Sequence, residues 1–121
     1  MNIKEELRRG NYIKCIFSEN DYSIVEGVDS EYIYIKETTY DYLDVEHIEL
    51  LLLNKKWLDK FNFGGRDDFR YLNDIGVQII NDIYYFAIKD LGNVIFHSIV
   101  EIEYVHELQN LYYDIKKEKL I

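Results

Sequence analysis

The sequence predicts an α+β protein built as one compact domain, 1–121. The expected parts are a small antiparallel SH3-like sheet or barrel, a β-meander, one short central helix and one amphipathic C-terminal helix. Three observations carry this expectation. The length of 121 residues argues for one domain, or at most two very small ones. Apolar and polar residues alternate in short runs separated by turn clusters, which is strand periodicity. The last stretch of the chain repeats instead at helical spacing.

Each element has a local reason. Residues 4–9 suit one helical turn with Gly10 beyond its end. Over 12–17, Ile13, Cys15 and Phe17 share one strand face, and Tyr12 and Lys14 the other. Ser18-Glu19-Asn20-Asp21 is a polar turn, and short strands follow over 22–28 and 31–37. In the latter, Ile33 and Ile35 point to the core, while Tyr32, Tyr34 and Lys36 face solvent or a partner. The apolar run 48–53 reads as a strand or as the approach to a helix. Asn54 is a suitable N-cap for a helix over 55–61, on which Trp57 and Phe61 stack one turn apart, and Phe63-Gly64-Gly65-Arg66 ends it. A meander comes next. Strands 75–80 and 83–89 flank the two-residue turn Asn81-Asp82, and Leu91-Gly92-Asn93 leads into a strand over 94–100. Tyr104, Leu108, Leu111, Tyr112 and Ile115 form one helical stripe. Glu101, Glu103 and Glu107 at its start and Lys116, Lys117 and Lys119 at its end match the helix dipole.

Charge is distributed unevenly. The formal net charge is −9, and residues 19–49 hold ten acids against the single base Lys36, so this segment carries the whole excess. Five of the 12 tyrosines fall there as well: Tyr22, Tyr32, Tyr34, Tyr40 and Tyr42. Carboxylates steer a basic partner toward a surface, and tyrosine rings give contact area at low entropic cost. The same composition also suits a solvated acidic face in a compositionally biased genome. The negative balance opposes binding to free nucleic acid or an anionic membrane. No apolar run approaches the roughly 18 residues of a membrane span, and the start MNIKEELRRG has no apolar signal region.

Catalytic patterns are missing from the sequence: it contains no GxGxxG, GxxxxGK[ST] or HExxH, and its four serines lie in no nucleophile-elbow context. The lone Cys15 excludes an intrachain disulfide and reads as a buried thiol. Asp44, Glu46 and His47 form the densest group of metal-ligating types, but on a strand they divide between two faces. His47 reads as a surface histidine; the parity of His97 allows partial burial in a strand, His106 lies beside the helical stripe, and a satisfied or exposed histidine is the default for both. No catalytic residue, cofactor or metal is expected.

Three segments carry a family resemblance. Glu6-Leu7-Arg8-Arg9-Gly10-Asn11-Tyr12, Trp57-Leu58-Asp59-Lys60-Phe61-Asn62-Phe63 and Tyr104-Val105-His106-Glu107-Leu108-Gln109-Asn110-Leu111-Tyr112-Tyr113 occur in that order. They resemble the "ELRIGNY/W", "WLLKFGF" and "YVHQLQNLYF" patterns of short, mostly uncharacterised proteins of Bacteroidetes phages and mobile elements. The chain departs from that family in lacking prolines before the central helix and in its Lys116-Lys117-Glu118-Lys119-Leu120 tail. The resemblance implies a phage-type protein acting in a bacterial cytoplasm. Small acidic phage proteins of this kind include anti-CRISPR inhibitors, with type VI RNA-guided RNases among the plausible targets.

The expected function is therefore an inhibitor that docks on a basic, nucleic-acid-handling host protein without catalysis. It would not bind free nucleic acid, although RNA could share a ternary complex. The partner-binding residues expected are Glu31, Tyr32, Tyr34, Glu37, Tyr40, Asp41, Tyr42, Asp44 and Glu46. The alternative is a phage structural or assembly adaptor that oligomerises through Tyr-rich surfaces; a small enzyme or metal-dependent hydrolase ranks below both.

Overall fold

The computed structural model describes residues 3–37, 42–89 and 96–121, with only the backbone of Ser98. In chain order the elements are α1 (Ile3–Glu6), β1 (Tyr12–Cys15), β2 (Ser23–Val28), β3 (Ile33–Ile35), β4 (Tyr42–Leu43), a 3-10 turn (Val45–His47) and β5 (Ile48–Glu49). They continue as α2 (Lys55–Lys60), β6 (Gly64–Arg66), β7 (Phe69–Leu72), β8 (Ile75–Ile80), β9 (Ile83–Lys89), β10 (Phe96–Ile102) and α3 (Val105–Lys116). The fold is mixed α and β with antiparallel sheets, as the periodicities predict. It divides into two compact units, Met1–Leu51 with Tyr104–Ile121, and Leu52–Glu103.

The first unit carries a five-stranded sheet in the order β4-β3-β2-β1-β5. Strand alternation places Ile13, Cys15, Val25, Ile33, Ile35, Leu43 and Ile48 in one buried cluster, joined by Leu7. Each such aliphatic side chain contributes about 1.5–3 kcal/mol by leaving water. Phe17 departs from the expected inward face. β1 ends at Cys15, the chain turns, and the Phe17 ring is 52% exposed. On α3, Val105, Leu108 and Tyr112 are buried, whereas Ile115 at the far end of the stripe is exposed. Glu107 Oε1 accepts from the Tyr104 N–H at 2.9 Å and caps the helix start.

Polar side chains join α3 to the N-terminal segment. Gln109 Oε1 accepts from the Tyr12 N–H (2.9 Å), and its Nε2 donates to the carbonyls of Gly10 (3.1 Å) and Leu120 (3.0 Å). Asn11 Nδ2 donates to Asn110 Oδ1 at 2.8 Å, and Asn110 Nδ2 to the Glu6 carbonyl at 2.8 Å. Arg8 holds Asp114 through two nitrogens at 2.6 and 3.2 Å. This pairing keeps the Asp114 carboxyl below the usual carboxylate range, the hydrogen bond from Arg8 being the main cause. His106, expected to be satisfied or exposed, is 2% exposed; its Nε2 meets Glu6 Oε1 at 3.3 Å and its Nδ1 has no hydrogen-bond partner among the described residues. The first and third segments of the family resemblance thus meet in one hydrogen-bonded assembly.

The second unit is a meander in the order β10-β9-β8-β7-β6, accompanied by α2. Asn54 caps α2 as its position predicts, with Oδ1 accepting from the Trp57 N–H at 3.1 Å, and the Trp57 and Phe61 rings lie 5.8 Å apart. Strands β8 and β9 take their predicted bounds. Asn81 and Asp82, both at positive φ (50° and 63°), supply the turn that matches strand twist. Two strands depart from expectation. Gly64–Arg66, read as a helix stop, is β6, and the polar-interrupted Phe69–Leu72 is β7. Gly76 is required by close approach, since a Cβ there would lie 2.7 Å from Phe69 Cζ and 2.9 Å from Phe96 Cδ1. His97 is exposed on β10, which agrees with the default reading and not with the partial burial its strand parity suggests. The predicted turn at 91–93 and the first residues of the expected 94–100 strand lie outside the described residues.

Candidate protein-docking surface

The acidic segment 19–49 belongs to the first unit, and its sheet sorts the side chains by parity. On β3, Ile33 and Ile35 are buried and Tyr34 between them is 37% exposed. Tyr34 pairs across the ladder with Tyr42 of β4, which is 54% exposed. The Tyr42 ring also contacts that of half-buried Tyr32, with centroids 4.8 Å apart. Leu43 turns inward and Asp44, on the parity of Tyr42, outward. The expected division of isoleucines from tyrosines therefore holds, because a strand sends successive side chains to opposite faces.

A residue not singled out from the sequence orders this surface. Asp29 Oδ1 accepts from the N–H groups of Glu31 (2.8 Å) and Tyr32 (2.7 Å), while Oδ2 accepts from the Tyr34 hydroxyl (2.5 Å). The Tyr34 hydroxyl is the main cause that lowers the Asp29 carboxyl from its usual value, and in return Asp29 raises the Tyr34 phenol. The ring of Tyr34 is thus held by a local carboxylate. Asp29-Ser30 is an Asx-turn signature, which is the signal that identifies such a buttress in sequence.

Among the acids, Glu31, Asp44 and Glu46 are exposed and form no ion pair with Lys or Arg among the described residues. Glu37 has an internal role. Its Oε1 accepts from Ser18 Oγ (2.8 Å), Asn20 Nδ2 (3.2 Å) and Ser23 Oγ (2.5 Å), which fastens the end of β3 to the β1–β2 turn. Burial raises the Glu37 carboxyl, but these hydrogen bonds outweigh it and the net shift is downward. Tyr40 and Asp41 lie outside the described residues.

The 3-10 turn changes the geometry expected around His47. Instead of dividing between two strand faces, Asp44, Glu46 and His47 bring one ligand atom each within 4.8 Å of one another. His47 Nδ1 lies 4.0 Å from Asp44 Oδ2 and Nε2 lies 3.7 Å from Glu46 Oε1. Both carboxylates are exposed, an arrangement common on acidic surfaces without any ion. The ring of exposed Phe17 approaches the imidazole at 4.9 Å, adding an apolar element that the sequence placed in the core.

No helix among the described residues is long and apolar enough to cross a membrane. No protein-family model matches the chain, and neither a curated protein nor a solved structure matches it significantly.

Proposed function

We propose that the chain is a non-catalytic binding module that docks the acidic, tyrosine-bearing face of its first unit onto a basic, nucleic-acid-handling protein. The observation that carries this reading is the exposed cross-strand pair Tyr34–Tyr42, flanked by Glu31, Asp44 and Glu46, which have no Lys or Arg partner among the described residues. Carboxylates that no Lys or Arg neutralises supply long-range attraction, and aromatic rings held by a sheet supply anchoring area. The order β4-β3-β2-β1-β5, with a 3-10 turn leading into β5, supports an SH3-like barrel as the scaffold. Together with the family resemblance, this favours a phage counter-defence inhibitor working in a bacterial cytoplasm, with an RNA-guided RNase as target.

The test is binding and inhibition of a purified type VI RNA-guided RNase. Raising salt from about 0.05 to 0.5 M shortens the screening length several-fold, so association should slow by about tenfold or more. Glu31→Lys, Asp44→Lys and Glu46→Lys together should slow association similarly in a folded protein. Tyr42→Ala should instead speed dissociation. Salt-independent binding, or full inhibition by the triple variant, defeats the docking mechanism. A second reading, a self-associating assembly adaptor, is favoured by exposed Ile99 and Val100 on the terminal strand β10 of the second sheet. A dimer mass in light scattering would support it.

A further inference from the structure

A cavity of about 240 Å³ opens in the first unit beside the turn that follows α1. Its walls come from three segments: the 8–11 turn, α3 and the C-terminal tail. The turn is rigidly built. The Arg8 N–H donates to Asn11 Oδ1 at 2.7 Å, the Asn11 N–H to the Arg8 carbonyl at 3.1 Å, and Gly10 takes φ +96°, where a side chain is strained. Buried Gln109 joins turn and tail through the Gly10 and Leu120 carbonyls.

The charge around this cavity is opposite to that of the chain. Arg8, Arg9 and Lys119 line it in a protein of net charge −9. Arg8 is neutralised by Asp114. Arg9 and Lys119 form no ion pair among the described residues. Lys119 extends over the turn, with its Nζ 3.5 Å from where a Gly10 Cβ would stand. The amides of Asn11, Gln109 and Asn110 are already engaged with one another or with backbone, so they offer a ligand little further polar recognition. What remains is the Tyr113 ring, the Leu120 side chain and two unpaired cations.

From this arrangement we infer that the cavity binds a small organic anion, a single ring bearing a phosphate or carboxylate. The ring packs beside Tyr113 and Leu120, and the anionic group meets Arg9 and Lys119. The volume lies below the roughly 300–1,000 Å³ of drug-sized pockets, which favours one ring over an oligonucleotide. The site shares no residue with the acidic tyrosine face and goes beyond the docking function proposed above.

Two-dimensional amide NMR of the full chain tests this with four probes: phenyl phosphate, benzoate, inorganic phosphate and benzyl alcohol. At least one aryl anion should shift the Gly10, Tyr113 and Lys119 resonances saturably. Whichever of phenyl phosphate and benzoate binds tighter identifies the preferred head group. Inorganic phosphate and benzyl alcohol should bind at least about tenfold more weakly, each lacking half of the recognition. Arg9→Gln with Lys119→Gln should remove the response while the remaining spectrum stays that of the folded protein, and Arg66→Gln in the second unit should leave it intact. The inference is overturned by no saturable shift with either aryl anion at about 10 mM, by a response that survives the double variant, or by inorganic phosphate binding as well as the aryl anions.

Discussion

The two units reach order by different routes. The second is a meander in which each strand pairs with its neighbour in sequence, through turns such as Asn81-Asp82. The first joins a sheet from the N-terminal half to a helix from the C-terminal end, using side-chain hydrogen bonds across sequence separations of 97 to 106 residues. Local pairing closes short loops and follows from turn chemistry. Distant pairing needs the whole unit assembled before its polar groups find partners, and each group left unpaired then carries a desolvation cost. The first unit also bears the acidic segment, whereas residues 54–100 balance six acids with six bases.

Breaking the helix–sheet union should produce the largest effect. Leu108 is fully buried on α3, and Leu108→Asp places an unpaired carboxylate there, at a cost of several kcal/mol, about 4 or more. Circular dichroism should show an unfolded first unit; a folded monomer would remove the helical stripe from the core. Gln109→Ala should rank next. It strands the Tyr12 N–H and two carbonyls, for a loss of about 3 kcal/mol. Hydrogen exchange should accelerate at Tyr12 while the β8–β9 amides stay protected. Equal loss of protection in both units would collapse the distinction between them.

Gly76→Ala probes the second unit alone. Its Cβ would press on the Phe69 and Phe96 rings, at a cost of about 1–3 kcal/mol. Thermal denaturation should show the loss, and exchange should accelerate in β8 before β1. The smallest effect is acid dependence at Glu37. Its folded pKa is depressed, so its contribution is complete above its unfolded value, about 4.3, and is lost as pH falls through the folded value. Glu37 is half-exposed, so the contribution is on the order of 1 kcal/mol or less. Glu37→Gln should flatten the fall in denaturation midpoint below about pH 4 without changing the profile near neutrality. An unchanged acid limb would place Glu37 outside the fold's hydrogen-bonded framework.

The sequence by itself determined those features whose causes lie within a few residues. The Asn54 cap, the bounds of β8 and β9, and the alternation that buries Ile33 and Ile35 beside exposed Tyr34 all follow from local periodicity and turn chemistry. Tertiary structure decided the rest. Gly64–Arg66 became a strand because a neighbouring edge offered its backbone a ladder, although no side-chain pattern marks it. The end of β1 turned Phe17 outward, and a 3-10 turn gathered Asp44, Glu46 and His47 that strand parity would separate. Glu37 joined a hydrogen-bond network, and Arg9 and Lys119 converged on one cavity from opposite ends of the chain. Strand and helix periods sort side chains within an element; which distant polar groups meet depends on how the elements pack, and no local period encodes that.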